Sequence, residues 1–369
     1  MNGGILDDPR ATILINDGRN HVVASKKEYD VIISQPSNPW ISGVNNLFTL
    51  EAFRLFQNRL SPGGLACQWI QYYEMRPEDL FSLLRTFAEV FAHVDVFRAA
   101  RGDLLLVGSS RPFPFDREEI DRRMHSSPNE AIFRTIGLSE AADLLASYLF
   151  TIERERENDA WKAVRDFPLN RDDNMLIEFS MPRHMEEPRL EENRAALAHL
   201  HDRSKVHRAA PHRHLELARG AVKLWDLPVA ELELALAATE ENPDIAGIHS
   251  LRARILLLRS GWEGRPGLVG EAERETEIAL GADSTSSEAH FLLGAIALQR
   301  SAWAEAVRSL QKAIELGEDP GVAYVYLGRA LEEDGRFDEA VDAYSRALRE
   351  RPNNRVAQDA LQRVRSHLQ

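Results

Sequence analysis

The sequence LGAIALQRSAWAEAVRSLQKA at residues 293–313 returns 34 positions later as LGRALEEDGRFDEAVDAYSRA at residues 327–347. In both copies apolar residues recur three or four positions apart, which is the pattern of an amphipathic helix. Gly294 aligns with Gly328, and Ala306 aligns with Ala340. Small residues at fixed positions allow helices to approach closely, so the stretch predicts stacked pairs of helices with one continuous core.

A period of 34 residues with this distribution of small and large side chains is typical of the tetratricopeptide repeat. Other aligned positions are Trp303 with Phe337, Leu310 with Tyr344, and Ala313 with Ala347. The second-helix pattern also occurs at residues 230–243 and, after an insertion around residues 262–270, at residues 272–279. We predict four helix pairs over residues 211–353, two of them degenerate, and a capping helix over residues 354–369.

A stack of such repeats curves and presents a concave face, on which proteins or peptides typically bind. The repeats therefore predict a protein or peptide partner for the concave face. The pattern does not identify that partner.

The first 110 residues have a different pattern, in which short β-branched runs alternate with helical segments. This alternation indicates a parallel sheet covered by helices. Strands are predicted at residues 11–15, 29–33 and 64–67 and as a hairpin of 93–97 with 103–108, and helices at 47–60 and 77–91. Residues 111–184 predict a mostly helical extension with a strand-like piece at 175–179, and residues 185–210 predict a polar linker. The predicted fold class is α/β plus all-α, with an incomplete Rossmann-like sheet ahead of a helical solenoid.

Charge limits the choice of partners. The chain has 45 Lys and Arg residues against 58 Asp and Glu residues, a formal net charge of −13. Such a surface disfavours nucleic acid and anionic lipid, whereas it tolerates cations such as polyamines. No apolar run approaches the roughly 20 residues of a membrane-spanning helix, and the N-terminus has no signal-like pattern, so we expect a cytoplasmic protein.

Five histidines lie close together in the sequence near the predicted linker: His199, His201, His207, His212 and His214. Such a cluster could bind a metal ion. However, no cysteine or carboxylate completes a recognisable ligand set in the sequence. We therefore favour a solvated helical linker and predict no metal site.

The residues that follow the predicted strands resemble those of spermidine synthases, the polyamine aminopropyltransferases. The resemblance covers roughly residues 5–110 and depends on the segments Asp17-Gly18-Arg19, YDVIISQPSNP at 29–39, Pro62-Gly63-Gly64 and Cys67-Gln68, with a later LNRDD run at 169–173. It implies a methyltransferase-type sheet that binds decarboxylated S-adenosylmethionine or methylthioadenosine. It also implies that Asp17 binds the adenine and that Gly18, Ser37 and Gln68 help to bind the nucleotide. From its own position before a glycine, Asp17 can equally be a turn residue.

The sequence departs from the family at the implied catalytic pair. The family has acidic residues at the positions of Gln35 and Asn38, where they hold the attacking amine and accept its proton. Gln35 and Asn38 are neutral amides, which can form hydrogen bonds but cannot act as a general base at neutral pH. We therefore expect that aminopropyl transfer is absent in this form.

Other side chains offer alternatives to the missing acids. Glu74, Asp79, Asp172 and Asp173 can reach the site only if folding brings them there. A turn and a helix cap are the more usual roles for the last two. Tyr72 and Tyr73 can stack on a ligand or simply pack in the core.

The implied sheet order, 3-2-1-4-5-7-6, places two strands and a glycine-rich turn between residues 11–15 and residues 29–33. The sequence contains neither those strands nor that turn. Either residues 11–15 pair with a new neighbour, or the lobe is unstable alone, or Met1 is an internal methionine of a longer reading frame, which we favour. Each version predicts weak nucleotide binding or none.

The function predicted from the sequence is that of a spermidine synthase-like protein with a partner-binding repeat array. An alternative is a non-enzymatic interaction scaffold in which the repeats carry the whole function. A methyltransferase on the same sheet is a weaker alternative, because the residues after the strand at 29–33 match the aminopropyltransferase pattern better.

Overall fold

The computed structural model describes residues 7–127, 129–183 and 189–368. The chain divides into two compact units, one up to Ala210 and one from Pro211. The first unit is called the α/β lobe and the second the helical array. Each is described by itself.

The α/β lobe contains one mixed sheet. Its strands within the described residues are β1 Tyr29–Ser34, β2 Leu60–Gln71, β3 His93–Ala100, β4 Asp103–Ser109 and β5 Tyr148–Glu153, in the order β1-β2-β4-β3-β5. β1 is parallel to β2, and all other neighbours are antiparallel. The first four strands therefore follow the order 4-5-7-6 that the resemblance implies for the second half of the sheet.

Helices cover this sheet. Those of the lobe are α1 Gly18–Ala24, α2 Leu50–Gln57, α3 Pro77–Val90, α4 Arg117–Met124, α5 Asn129–Thr135, α6 Ala141–Ala146, α7 Asp159–Val164, α8 Leu176–Ser180, α9 Leu190–Ala198 and α10 Ser204–Ala209. α2 and α3 meet through Phe53 and Phe87, whose ring centroids lie 4.9 Å apart. Both side chains are fully buried. Because α3 has Pro77 at its start and apolar residues three to four positions apart, the sequence predicted this helix well.

Two predicted strands are wrong, and one strand was missed. Residues 11–15 form no strand and pair with none in the described part of the chain. A strand needs a neighbouring strand to pair its backbone groups, and composition alone does not supply one. Residues 175–179 lie mostly in α8, since the buried Ile177 packs from a helix. β5, at the far edge beside β3, had been assigned to a mostly helical extension.

β1 forms one edge of the sheet. Its Val31 and Ile33 side chains are 52% and 70% exposed, and Ile15 nearby in sequence is fully exposed. Parallel strands are normally covered on both faces, so these apolar side chains mark where the lobe buries least.

The helical array confirms the predicted solenoid. Its described helices are α11 His214–Lys223, α12 Leu227–Ala237, α13 Ile245–Glu263, α14 Leu268–Ala282, α15 Ser287–Gln299, α16 Trp303–Glu315, α17 Pro320–Glu333, α18 Phe337–Glu350 and α19 Arg355–Leu368. Each consecutive pair from α11 to α18 packs together, and α19 packs on α18. At Gly294 a Cβ atom would lie 2.5 Å from Cγ of Leu310, and at Gly328 it would lie 2.7 Å from Cε1 of Tyr344. The small repeat positions therefore permit the close approach that the period predicted.

The helices in the described part of the chain are all too short or too polar to cross a membrane.

Candidate functional site

The loop after β1 holds the positions of the implied catalytic pair. Gln35 and Ser37 are exposed, whereas Asn38 is half-buried. The Asn38 amide Nδ2 donates to the hydroxyl oxygen of Tyr73, 2.9 Å away. Tyr73 in turn packs edge-on against Trp40, with ring centroids 5.7 Å apart. Tyr73, which packs on Trp40, thus positions the side chain of Asn38. Asn38 donates a hydrogen bond to Tyr73 and has no group that could act as a base.

Asp17 has a structural task. It is the N-cap of α1, and its carboxylate accepts a hydrogen bond from the backbone N–H of Asn20, 2.7 Å away. Both Asp17 and Gly18 are exposed. An N-cap carboxylate has part of its hydrogen-bonding capacity already used by the helix, which agrees with the alternative that it is a turn residue.

Gln68 is fully buried in β2, where it pairs in register with Ser34 of β1. Its amide Nε2 donates to the carbonyl of Trp69, 3.0 Å away. Its Oε1 has no hydrogen-bond partner among the described residues. Gln68 is therefore a buried residue of the second strand of the sheet and is not exposed to solvent.

One carboxylate that the sequence analysis missed lies at this loop. Glu178, in α8, accepts hydrogen bonds from the hydroxyl of Ser42 at 2.9 Å and the backbone N–H of Gly43 at 3.3 Å. It is 135 or more positions from the residues that it contacts, so no sequence spacing could have indicated it. Its oxygens brace the loop that carries Asn38.

The acidic residues considered as substitutes are engaged elsewhere. Asp79 is 2% exposed, and its Oδ2 lies 3.1 Å from Nε of Arg76 and 3.0 Å from the hydroxyl of Ser180. Asp172 pairs with the guanidinium of Arg19, which lowers the pKa of its carboxyl below the usual range. A carboxylate held ionised by an arginine is a weak proton acceptor.

Glu74 is half-exposed and Asp173 is exposed, and within the described residues neither is hydrogen-bonded to the loop after β1. Tyr72 is fully buried, and its hydroxyl donates to the carbonyl of Arg101 at 3.1 Å. The packing interpretation therefore fits Tyr72, while Tyr73 both packs on Trp40 and contacts Asn38.

The LNRDD run forms a clamp at the start of α2. Asn170 is fully buried, and its amide donates to Oδ1 of Asn45 at 2.9 Å and to the carbonyl of Phe48 at 3.0 Å. Asp172 accepts from the hydroxyl of Thr49, the N-cap of α2, at 2.7 Å. The run thus fastens a distant part of the chain to α2, and its role here is structural.

A groove of the helical array is the second candidate site. It has a volume of about 740 Å³ and is lined by α11, α13 and the segments around α15, with Leu251 and Leu258 as apolar floor and Trp225 at one side. Trp225 is 48% exposed. Exposed tryptophans in a groove are common anchors for a protein partner.

Charged side chains cross the middle of this groove. Arg254 Nε lies 2.9 Å from Oε1 of Glu288, and Arg219 approaches the other oxygen of Glu288 at 3.5 Å. Glu318 accepts from the hydroxyl of Ser287 at 3.1 Å, and burial raises the pKa of its carboxyl. The groove therefore offers paired charges of both signs above an apolar floor.

The chain contains two kinds of structure, one after the other in the sequence. The first is a spermidine synthase-type half sheet with amides at the strand end, and the second is a helical repeat array with a groove. The family model of the spermine/spermidine synthase domain matches residues 1–100, and the tetratricopeptide repeat model matches residues 267–323 and 303–355. The N-terminal segment is therefore spermidine synthase-like, and tetratricopeptide repeats follow it.

Curated relatives match the N-terminal segment. Polyamine aminopropyltransferase 2 of Pseudomonas aeruginosa is 31% identical over 130 residues, which are 33% of this chain and 37% of that protein. The polyamine aminopropyltransferase of Enterobacter sp. strain 638 is 32% identical over 99 residues, 27% of this chain and 34% of that protein. The chain thus spans about a third of the length of these relatives.

Solved structures resemble both parts. A probable spermidine synthase from Corynebacterium glutamicum has 23% identity and a TM-score of 0.29, covering 44% of this chain and 55% of that one. The tetratricopeptide repeat protein TTC0263 from Thermus thermophilus has 20% identity and a TM-score of 0.37, covering 48% of this chain and 92% of that one.

Proposed function

We propose that this protein is a spermidine synthase-like protein whose helical array binds a protein or peptide, and that the chain does not itself transfer aminopropyl groups. The proposal that aminopropyl transfer is absent depends on the loop after β1. There Gln35 is an exposed amide and Asn38 donates a hydrogen bond to Tyr73. An alkyl amine with a pKa of about 10 must lose a proton before it attacks. Neither amide can take that proton.

The partners of three carboxylates in the lobe support this proposal. Glu178 braces the loop through Ser42 and Gly43, and Asp79 is buried against Arg76. Asp17, which the resemblance assigns to the adenine, caps α1. These groups have structural partners in the lobe as described, so binding methylthioadenosine or decarboxylated S-adenosylmethionine would require them to exchange partners.

We expect no saturable binding when methylthioadenosine is titrated into the full chain by calorimetry at neutral pH, up to millimolar ligand. The physical reason is that the carboxylate of Asp17, which the resemblance assigns to the adenine, is committed to the cap of α1. Polyamine aminopropyltransferase 2 of Pseudomonas aeruginosa, titrated in parallel, provides the positive control. Micromolar binding by this chain, or release of methylthioadenosine from decarboxylated S-adenosylmethionine and putrescine, would show that the proposal is wrong.

The partner-binding half of the proposal predicts that the groove, not the outer surface, contacts the partner. Peptides selected from a displayed random library by the full chain should bind at least tenfold more weakly to Trp225→Ala, because buried tryptophan contacts are commonly worth 2 kcal/mol or more. Binding can be measured by fluorescence anisotropy of labelled peptides. Ile278→Ala is the matched control, since Ile278 is 46% exposed and does not line the groove. Equal loss in both variants, or none in Trp225→Ala, would place the binding face elsewhere.

A further inference from the structure

A cage for an ammonium group lies on the β3–β5 side of the α/β lobe. The Nζ of Lys205, in α10, lies 2.6 Å from Oδ2 of Asp95 in β3. The same Nζ lies 4.5 Å from the ring centroid of Phe113 and 4.2 Å from that of Phe115. A buried carboxylate and two phenyl faces thus surround one ammonium group, which is the arrangement that proteins use to recognise alkylammonium ligands.

The carboxylate of the cage is held in place before any cation arrives. Asp95 is 2% exposed, and its Oδ1 accepts a hydrogen bond from the hydroxyl of Thr151 in β5. The Thr151 hydroxyl also contacts the hydroxyl of Tyr148 at 2.8 Å. Tyr148 packs edge-on against Phe115, so the hydrogen-bonded chain and the aromatic wall support each other. Groups fixed in this way lose little entropy when a ligand binds.

The cage opens into a cavity of about 530 Å³, which is a size typical of small-molecule sites. Lys205 fills only the part next to Asp95. Other charged residues that line the cavity are Glu153, Arg156, Asp202 and Arg208. Because a polar cavity adjoins the ammonium cage, the site can accept a ligand that extends beyond one amino group.

A second carboxylate stands at a suitable distance from the first. In the β3–β5 pair, Asp95 is opposite Thr151, and His93 is opposite Glu153. Asp95 and Glu153 are therefore diagonal neighbours on one face, with Cα atoms roughly 7–8 Å apart. Glu153 is shared with Arg156 at 3.1 Å and His93 at 3.4 Å. A short alkyl diamine can reach both carboxylates from within the cavity.

We propose that this cage and cavity form a binding site for short alkyl diamines, and that Lys205 occupies its ammonium position in the absence of ligand. A diamine enters as Lys205 leaves, so the charge around Asp95 is conserved during the exchange. The site is three strand spacings, roughly 14 Å, from β1 across the sheet. It is therefore separate from the loop that carries Gln35 and Asn38, and it does not depend on nucleotide or peptide binding.

The tethered Lys205 competes with any external amine at an effective concentration on the order of millimolar. We therefore expect the unmodified full chain to bind 1,4-diaminobutane with a dissociation constant in the millimolar range, and Lys205→Ala to bind it at least tenfold more tightly. The measurement is calorimetric titration at constant ionic strength. Butane-1,4-diol, which lacks charge, is the matched ligand control and should not bind.

Two further variants decide whether the cage is the site. Asp95→Asn added to Lys205→Ala should abolish the gain in affinity, because the buried carboxylate is lost. In the unmodified background, Glu153→Gln should weaken binding severalfold, whereas Glu178→Gln, at the other end of the sheet, should not. This second comparison tests the proposal even when Lys205→Ala does not fold.

The proposal is overturned when Lys205→Ala binds the diamine no more tightly than the unmodified chain. It is also overturned when Glu153→Gln and Glu178→Gln have equal effects, since binding would then reflect the general negative charge of the chain. Neither result bears on the methylthioadenosine titration, so the two proposals fail independently.

Discussion

Gly294→Val should lower the local stability of α15 and α16 by about 2–3 kcal/mol, the upper range for inserting a side chain into a packed core. A Cβ at Gly294 would lie 2.5 Å from Cγ of Leu310, which is fully buried and cannot swing away. The helices must separate to admit the side chain. Hydrogen–deuterium exchange of amides in α15 and α16 measures the effect, and protection should fall roughly 30- to 140-fold, since each 1.4 kcal/mol is tenfold.

Gly261→Val is the matched control for this prediction. Gly261 also lies inside a helix, α13, but a Cβ there would meet no atom within 4 Å. Valine has a slightly better helix propensity than glycine. The free energy of local unfolding of α13, measured by amide exchange, should therefore stay the same or rise by a few tenths of a kcal/mol. Equal destabilisation at Gly261 and Gly294 would contradict the view that the close approach to Leu310 explains the repeat glycine.

Asn170→Ala should destabilise the α/β lobe by about 3–4 kcal/mol, because it leaves several buried polar groups without partners. The amide donates to Oδ1 of Asn45 and to the carbonyl of Phe48, and its Oδ1 accepts from the N–H of Ile177 at 3.3 Å. Each group that is left unpaired in the interior costs about 1–3 kcal/mol, and network members are not additive. Urea unfolding of the full chain, followed by circular dichroism, measures the loss.

Asp173→Ala provides the comparison within the same run of residues. Asp173 is exposed, so its truncation should change the free energy of unfolding by less than about 0.5 kcal/mol. A similar small effect for Asn170→Ala would contradict the view that the LNRDD run is a structural clamp. It would also reopen a ligand-binding role for this run.

The accuracy of the sequence-based predictions depended on how local the governing interactions are. The helix at 77–91 and the hairpin at 93–108 were predicted nearly as observed, because their periodicity and turn residues lie within each element. The helix predicted at 47–60 is shorter, Leu50–Gln57, and β2 already begins at Leu60. Residues 11–15 have a strand-like composition. A strand also needs a neighbouring strand to pair its backbone hydrogen-bonding groups, and composition does not show whether one is present. The segment 175–179 is apolar and short, and such a run cannot be assigned to helix or strand by periodicity alone.

The candidate site was predicted in part. The sequence predicted that the strand at 29–33 ends at a loop with Gln35 and Asn38, and the structure has this loop after β1. It did not predict that Asn38 contacts Tyr73, that Asp17 caps α1 or that Glu178 braces the loop. The domain boundaries, the assignment of site residues and the absence of aminopropyl transfer remain predictions.

The sequence by itself determined the repeat array and the spermidine synthase-like character of the first part. A 34-residue period and a strand-end motif can both be recognised from the order of residues along the chain. Only the tertiary structure determined the neighbours of each charged group. Asp172 meets Arg19 across 153 positions, and Lys205 meets Asp95 across 110. Contacts over such distances depend on how sheet and helices pack, because the energy of an ion pair depends on separation in space and not on separation along the chain.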